Sequence, residues 1–111
     1  MFIVMNRFQV NKGRNADFEA SWQNRERHLS EFEGFISFSL LKNWLAGEAA
    51  TEYISHTIWA SRQDFEVWRN SDQFRQAHAG ASMSSALAGP PQATLYEAVL
   101  EENNSKLAAH V

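Results

Sequence analysis

The sequence has no cysteine among its 111 residues, and only two prolines and five glycines. Without thiols the chain cannot form disulfides, thiolate metal sites, iron–sulfur clusters or a cysteine nucleophile, so any electrons its chemistry needs come from outside. It also lacks a block of charge of one sign. Ten Lys and Arg and thirteen Asp and Glu are interspersed to a net charge of −3. That pattern offers no basic face to a phosphate backbone and no patch for an anionic membrane, which argues against nucleic acid and lipid as partners. Long apolar runs are missing as well. Asn6, Arg7 and Gln9 interrupt residues 1–10, which therefore read neither as a signal peptide nor as a membrane span, and the expected compartment is the cytoplasm. No Gly-rich phosphate loop or dinucleotide fingerprint occurs.

What the chain does have is aromatic surface: eight Phe, four Trp and two Tyr within a 44% hydrophobic composition. Large flat side chains at that density either fill a core or line a pocket for a flat ligand. The length suits one domain with one core, expected over residues 1–100, with a polar tail at 101–111.

Hydrophobic periodicity orders the elements. Residues 2–10 alternate, with Phe2, Val4, Asn6, Phe8 and Val10 on one face, which predicts a strand. Asn6 is the polar exception in the middle of that face, where an amide needs a hydrogen-bond partner or a ligand. After a turn at Gly13, the spacing of Phe18, Trp22, Arg25, Leu29 and Phe32 predicts a helix with one inward stripe, stopped by Gly34. Arg25 within the stripe either snorkels or meets a ligand. A second strand is expected at 35–42, with Ile36, Phe38 and Leu40 on one face, and a third at 51–60 after a link at 46–50.

Ser61 and Asp64 have the form of a capping box, and the helix they open carries Phe65 and Trp68. Ser71 and Asp72 are placed to break and restart it, with Phe74, Ala77 and His78 on one side of the second piece and Gly80 at its end. Residues 79–93, rich in Ala, Ser and Gly and closed by Pro90 and Pro91, suit a flap. A last strand is expected at 93–100. Strand, helix, strand, strand, helix, strand is the α+β, ferredoxin-like split βαββαβ arrangement: an antiparallel sheet with its helices on one face. The other face needs a cover, and pairing of two sheets in a homodimer is expected to supply it.

Three residues break the apolar pattern of the pocket expected between sheet and helices: Asn6, Trp68 and His78. Each has an ordinary reading taken alone, as a strand-satisfying amide, a core indole and a helix-end imidazole. In these settings the chain resembles the IsdG-type haem-degrading monooxygenases, within the dimeric α+β barrel superfamily of the antibiotic-biosynthesis monooxygenases. The resemblance covers residues 2 to about 100. It rests on Val4-Met5-Asn6-Arg7-Phe8, on Glu33-Gly34-Phe35, and on Thr57-Ile58-Trp59-Ala60-Ser61 through Phe65, Trp68, Ser71, Phe74 and Ala77-His78.

The resemblance implies that haem is both cofactor and substrate. The ring would be opened by O2 with an external electron donor, a reductase or small reductant, releasing iron and an open-chain tetrapyrrole. It assigns His78 as axial ligand of the haem iron, Asn6 as hydrogen-bond donor to the reacting oxygen, and Trp68 as the residue that distorts the porphyrin. Phe74 would lie against the haem, and Arg25 would meet a propionate, with Arg27 or Lys42 as substitutes. A cofactor-independent oxygenase of an aromatic polyketide or quinol, and a haem carrier that leaves the ring intact, are the competing functions on this fold. His28 and Glu31, spaced as a helical metal pair, lack further ligands, and His56 and His110 belong to no cluster.

Overall fold

The alternation at the amino terminus forms β1, Phe2–Asn11, which lies in the interior of a four-stranded antiparallel sheet. Its neighbours are β3, Ala50–Trp59, on one side and β4, Gln92–Glu97, on the other; β2, Phe35–Lys42, completes the order β2-β3-β1-β4. Two antiparallel pairings fix β1 in register, with Asn6 opposite both Ser55 of β3 and Ala93 of β4. Helix α1, Asn15–Gln23, connects β1 to β2; helices α2, Arg62–Arg69, and α3, Asp72–Ala79, connect β3 to β4. This is the ferredoxin-like split βαββαβ fold anticipated from the pattern. The computed structural model describes residues 1–45, 47–79 and 84–103, with residues 78, 79 and 84 described by their backbone alone.

The helices cover one face of the sheet with two adjoining clusters. Val4, Leu29, Trp59, Phe65 and Trp68 form one, and Val10, Phe18, Trp22 and Tyr53 the other. Trp59 is fully buried, its ring 5.6 Å from Phe35 and 5.5 Å from Trp68. Burying indoles and phenyl rings of this size supplies much of the hydrophobic driving force, so the question raised by composition is answered in favour of both uses: several core aromatics also face a cavity. The helix starts follow local chemistry. Ser61 Oγ accepts the Asp64 N–H at 3.1 Å and caps α2. Ser71 Oγ accepts the Phe74 N–H at 3.1 Å and donates to the Trp68 carbonyl at 2.5 Å, closing α2 and opening α3 at the expected break.

Three expectations are corrected. The helix predicted through Phe32 ends at Gln23, with Asn24 as its cap; Leu29–Glu31 is a separate 3-10 turn, so Arg25 and His28 stand on an irregular segment rather than on a helix. His28 itself has a left-handed backbone, φ 55°, which no residue inside a right-handed helix can adopt. On β2, the register against β3 shifts between Phe35 and Ser37, so Ile36 is the extra residue of a bulge and is 51% exposed. Phe35, Phe38 and Leu40 share the helix-covered side in consequence, and not Ile36, Phe38 and Leu40. The last strand ends at Glu97 rather than at residue 100, and Val99 and Leu100 are exposed. The sheet's other face carries Ile3 and Met5 of β1 beside Ile58 and His56 of β3, with Leu41 of β2 and Tyr96 of β4 nearly half exposed. Of the proposed flap, residues 80–83 lie outside the described residues, as does His110.

Candidate active site

Between the sheet and the helices lies a cavity of about 430 Å³, within the usual size range of small-molecule sites. The strand residues at its floor explain why there is room. Ser55 and Thr57 on β3 and Ala93 on β4 put small side chains on a face otherwise filled by aromatics, and Asn6 lies among them. Ser55 and Thr57 are buried, and Thr57 Oγ1 donates to the Val4 carbonyl at 3.5 Å. The side-chain amide of Asn6 has no hydrogen-bond partner among the described residues and faces the cavity.

The walls are aromatic. Trp22 and Phe38 stack at 5.8 Å and 25° on one side; Trp68 and Phe74 meet edge-to-face at 4.7 Å on the other. The Ser71 cap sets that second pair, because it holds the end of α2 against the start of α3. Ala77 continues the α3 face into the cavity. The buried Trp22 Nε1 has no partner among the described residues, which leaves one donor at the wall.

The electrostatics are one-sided. Arg25, Arg27 and Arg69 line the cavity, and no carboxylate does so among the described residues. The Arg25 guanidinium lies over the Trp22 ring, 4.1 Å from its centroid, and Arg27 lies over Phe38 at 4.8 Å. Burial, and then repulsion from Arg27, push the Arg25 pKa down from its ordinary value, though a guanidinium remains charged in any accessible pH range. An apolar slot with cationic groups is chemically suited to a flat, largely hydrophobic molecule bearing acid groups.

The structure thus brings together Asn6, Trp68, Phe74 and Arg25 around one cavity. His78 lies on α3 one residue beyond Ala77, and its side chain is outside the described residues. Lys42 lines a separate, smaller cavity beside Glu19, so of the two substitutes for Arg25 only Arg27 is at this site. Sequence reasoning missed Arg69, Ser55 and Thr57. The signal for the last two was present: an inner-face alternation of Thr51, Tyr53, Ser55, Thr57 and Trp59 that turns small and polar in its centre. His28 is bonded to Glu31 and Glu26, and no group of three or more His, Asp or Glu positioned to hold a metal ion occurs among the described residues.

The sheet order, with helices on one face and a cavity beneath them, defines a ferredoxin-like α+β fold. Residues 1–80 match the model of the antibiotic biosynthesis monooxygenase family, and the chain belongs to that family. Among curated relatives, the staphylobilin-producing heme oxygenase of Staphylococcus haemolyticus is 31% identical over 90 residues, 81% of this chain and 85% of that protein. Among solved structures, the heme-degrader MhuD of Mycobacterium tuberculosis, with two hemes bound in its active site, is 25% identical. It superposes with a TM-score of 0.71 over 93% of this chain and 100% of that one. SnoaB, a cofactor-independent oxygenase from Streptomyces nogalater, superposes with a TM-score of 0.66 at 21% identity, over 90% of this chain and 94% of that one. The fold therefore serves oxygenases of more than one kind. No helix among the described residues is long and apolar enough to cross a membrane.

Proposed function

We propose that this chain is a haem-degrading monooxygenase that opens the porphyrin ring and releases iron and an open-chain tetrapyrrole. The observation that carries the reading is the make-up of the cavity: aromatic walls, three guanidiniums, no carboxylate among the described residues, and an amide with no partner among them at the floor. Haem, bound as substrate and cofactor, supplies the redox chemistry with O2 and electrons from an external donor, here a cytoplasmic reductase or small reductant.

The residues would act as follows. His78, four residues after Phe74 on α3, would hold the haem iron, for which a neutral imidazole is a good donor. Asn6, fixed on an interior strand by two ladders, donates a hydrogen bond to the reacting oxygen without having to reorganise. Trp68, held between Trp59 and Phe74, is a rigid wall that would press on a flat ligand and distort it. Phe74 would give a flat ligand an apolar wall, and Arg25 would pair with a propionate. A second copy of the chain covers the open sheet face, giving the dimeric α+β barrel.

Adding haemin to the purified protein and following the Soret band, then adding a reductant in air, tests the reading. A Soret complex that decays under reductant and air is expected. Failure to form the complex would leave the cofactor-independent oxygenase, and a complex that persists would leave the carrier. His78→Ala is expected to change the ligation spectrum; an unchanged spectrum would reject that assignment.

A further inference from the structure

Apolar spacing alone would carry α1 on to Phe32, yet the chain leaves the helix after Gln23 and crosses the cavity with Arg25 and Arg27. The segment ends at His28, the only non-glycine residue with positive φ among the described residues. A left-handed backbone is uncommon for a residue other than glycine, and histidine is one of the few types enriched in it. Both ring nitrogens are engaged: Nδ1 lies 2.7 Å from Glu31 Oε2, and Nε2 lies 3.3 Å from Glu26 Oε2. Each ring nitrogen thus faces one carboxylate.

Glu26 stands between Arg25 and Arg27 in sequence, where its carboxylate is available in principle to either guanidinium. In the structure its carboxylate is turned to His28 instead. Arg27 meanwhile donates to the Trp22 carbonyl at 2.5 Å and lies over Phe38. We propose that His28 is a positioning residue, a clip that keeps the Glu26 and Glu31 carboxylates off the cationic rim so that Arg27 meets a ligand carboxylate without a competitor from its own segment. The identity of that ligand as haem rests on the function proposed above; the clip does not. Both carboxylates are exposed and the His28 ring is 33% exposed, and ion pairs open to solvent contribute little to stability. The clip therefore acts on binding rather than on folding: released, a tethered carboxylate occupies the place a propionate would take.

Two ligands separate this role from a general structural one. Haemin carries two carboxylates, whereas haemin dimethyl ester has the same ring and none. His28→Ala is expected to weaken haemin binding by about fivefold while leaving the ester unchanged, and His28→Ala/Glu26→Ala to restore most of the loss, because the competing carboxylate is gone. Equal weakening of both ligands, or no recovery in the double variant, would overturn the clip. In the protein without ligand, the Arg27 Nε–Hε resonance should shift in His28→Ala and return in the double variant; a resonance that does not move would likewise overturn it. That measurement keeps its meaning if the wild-type protein binds no haemin, an outcome that would instead reject the haem reading.

Discussion

Replacing Asn6 by leucine should make the protein more stable while disabling it. The amide is half-buried, lies between Ser55 and Ala93 on an interior strand, and has no hydrogen-bond partner among the described residues. A fully buried, unsatisfied polar group costs about 1–3 kcal/mol, and an amide open to a cavity that admits water bears only part of that. Leucine removes the penalty, gains partial burial next to Val4 and Leu95, and is better suited to a strand, so a net gain of about 1 kcal/mol is expected. At about 4 °C per kcal/mol for a domain of this size, the gain is resolvable in thermal unfolding, and urea titration gives an independent value. Asn6→Ala, which leaves the cavity open, should bind haemin normally and degrade it about a hundredfold more slowly if the amide serves the reacting oxygen. A structural asparagine would behave in the opposite way. A loss of more than about 1 kcal/mol in Asn6→Leu, together with unchanged turnover in Asn6→Ala, would refute the argument.

Two further outcomes test the fold around the site. Gly34 has φ +87°, and a Cβ there would overlap the Asp64 carboxyl at the start of α2; Gly34→Ala should cost at least about 2 kcal/mol in denaturant unfolding, and adding Asp64→Ala should recover only the steric part. The two tyrosines should titrate on opposite sides of the ordinary phenol value in phenolate absorbance. Tyr96 goes below it, through hydrogen bonding with Thr94 and then Arg7; Tyr53 goes above it, through burial and then its hydrogen bond to Glu19. Because the raised Tyr53 value means the folded state holds its proton more tightly, the associated stability is intact below pH about 10 and lost as pH rises beyond it, so Tyr53→Phe should flatten the alkaline loss.

By itself the sequence determined the order of elements, because period-two and period-3.6 patterns report which side of each segment is buried, and the Ser61 and Ser71 caps act within a few residues of themselves. It also marked Asn6, since an amide in the middle of an apolar strand face is visible without coordinates. Tertiary structure decided the rest. The end of α1 at Gln23 and the left-handed turn at His28 are not expressed by apolar spacing, and the bulge at Ile36 exists only as a mismatch between β2 and its partner strand. Arg69 reaches the cavity because α2 packs over the sheet, and Ser55 and Thr57 make room only once β1 and β4 set Asn6 and Ala93 beside them. A pattern along one chain records burial, whereas a site is made by distances between segments, and those are fixed when the sheet registers and the helices dock on it.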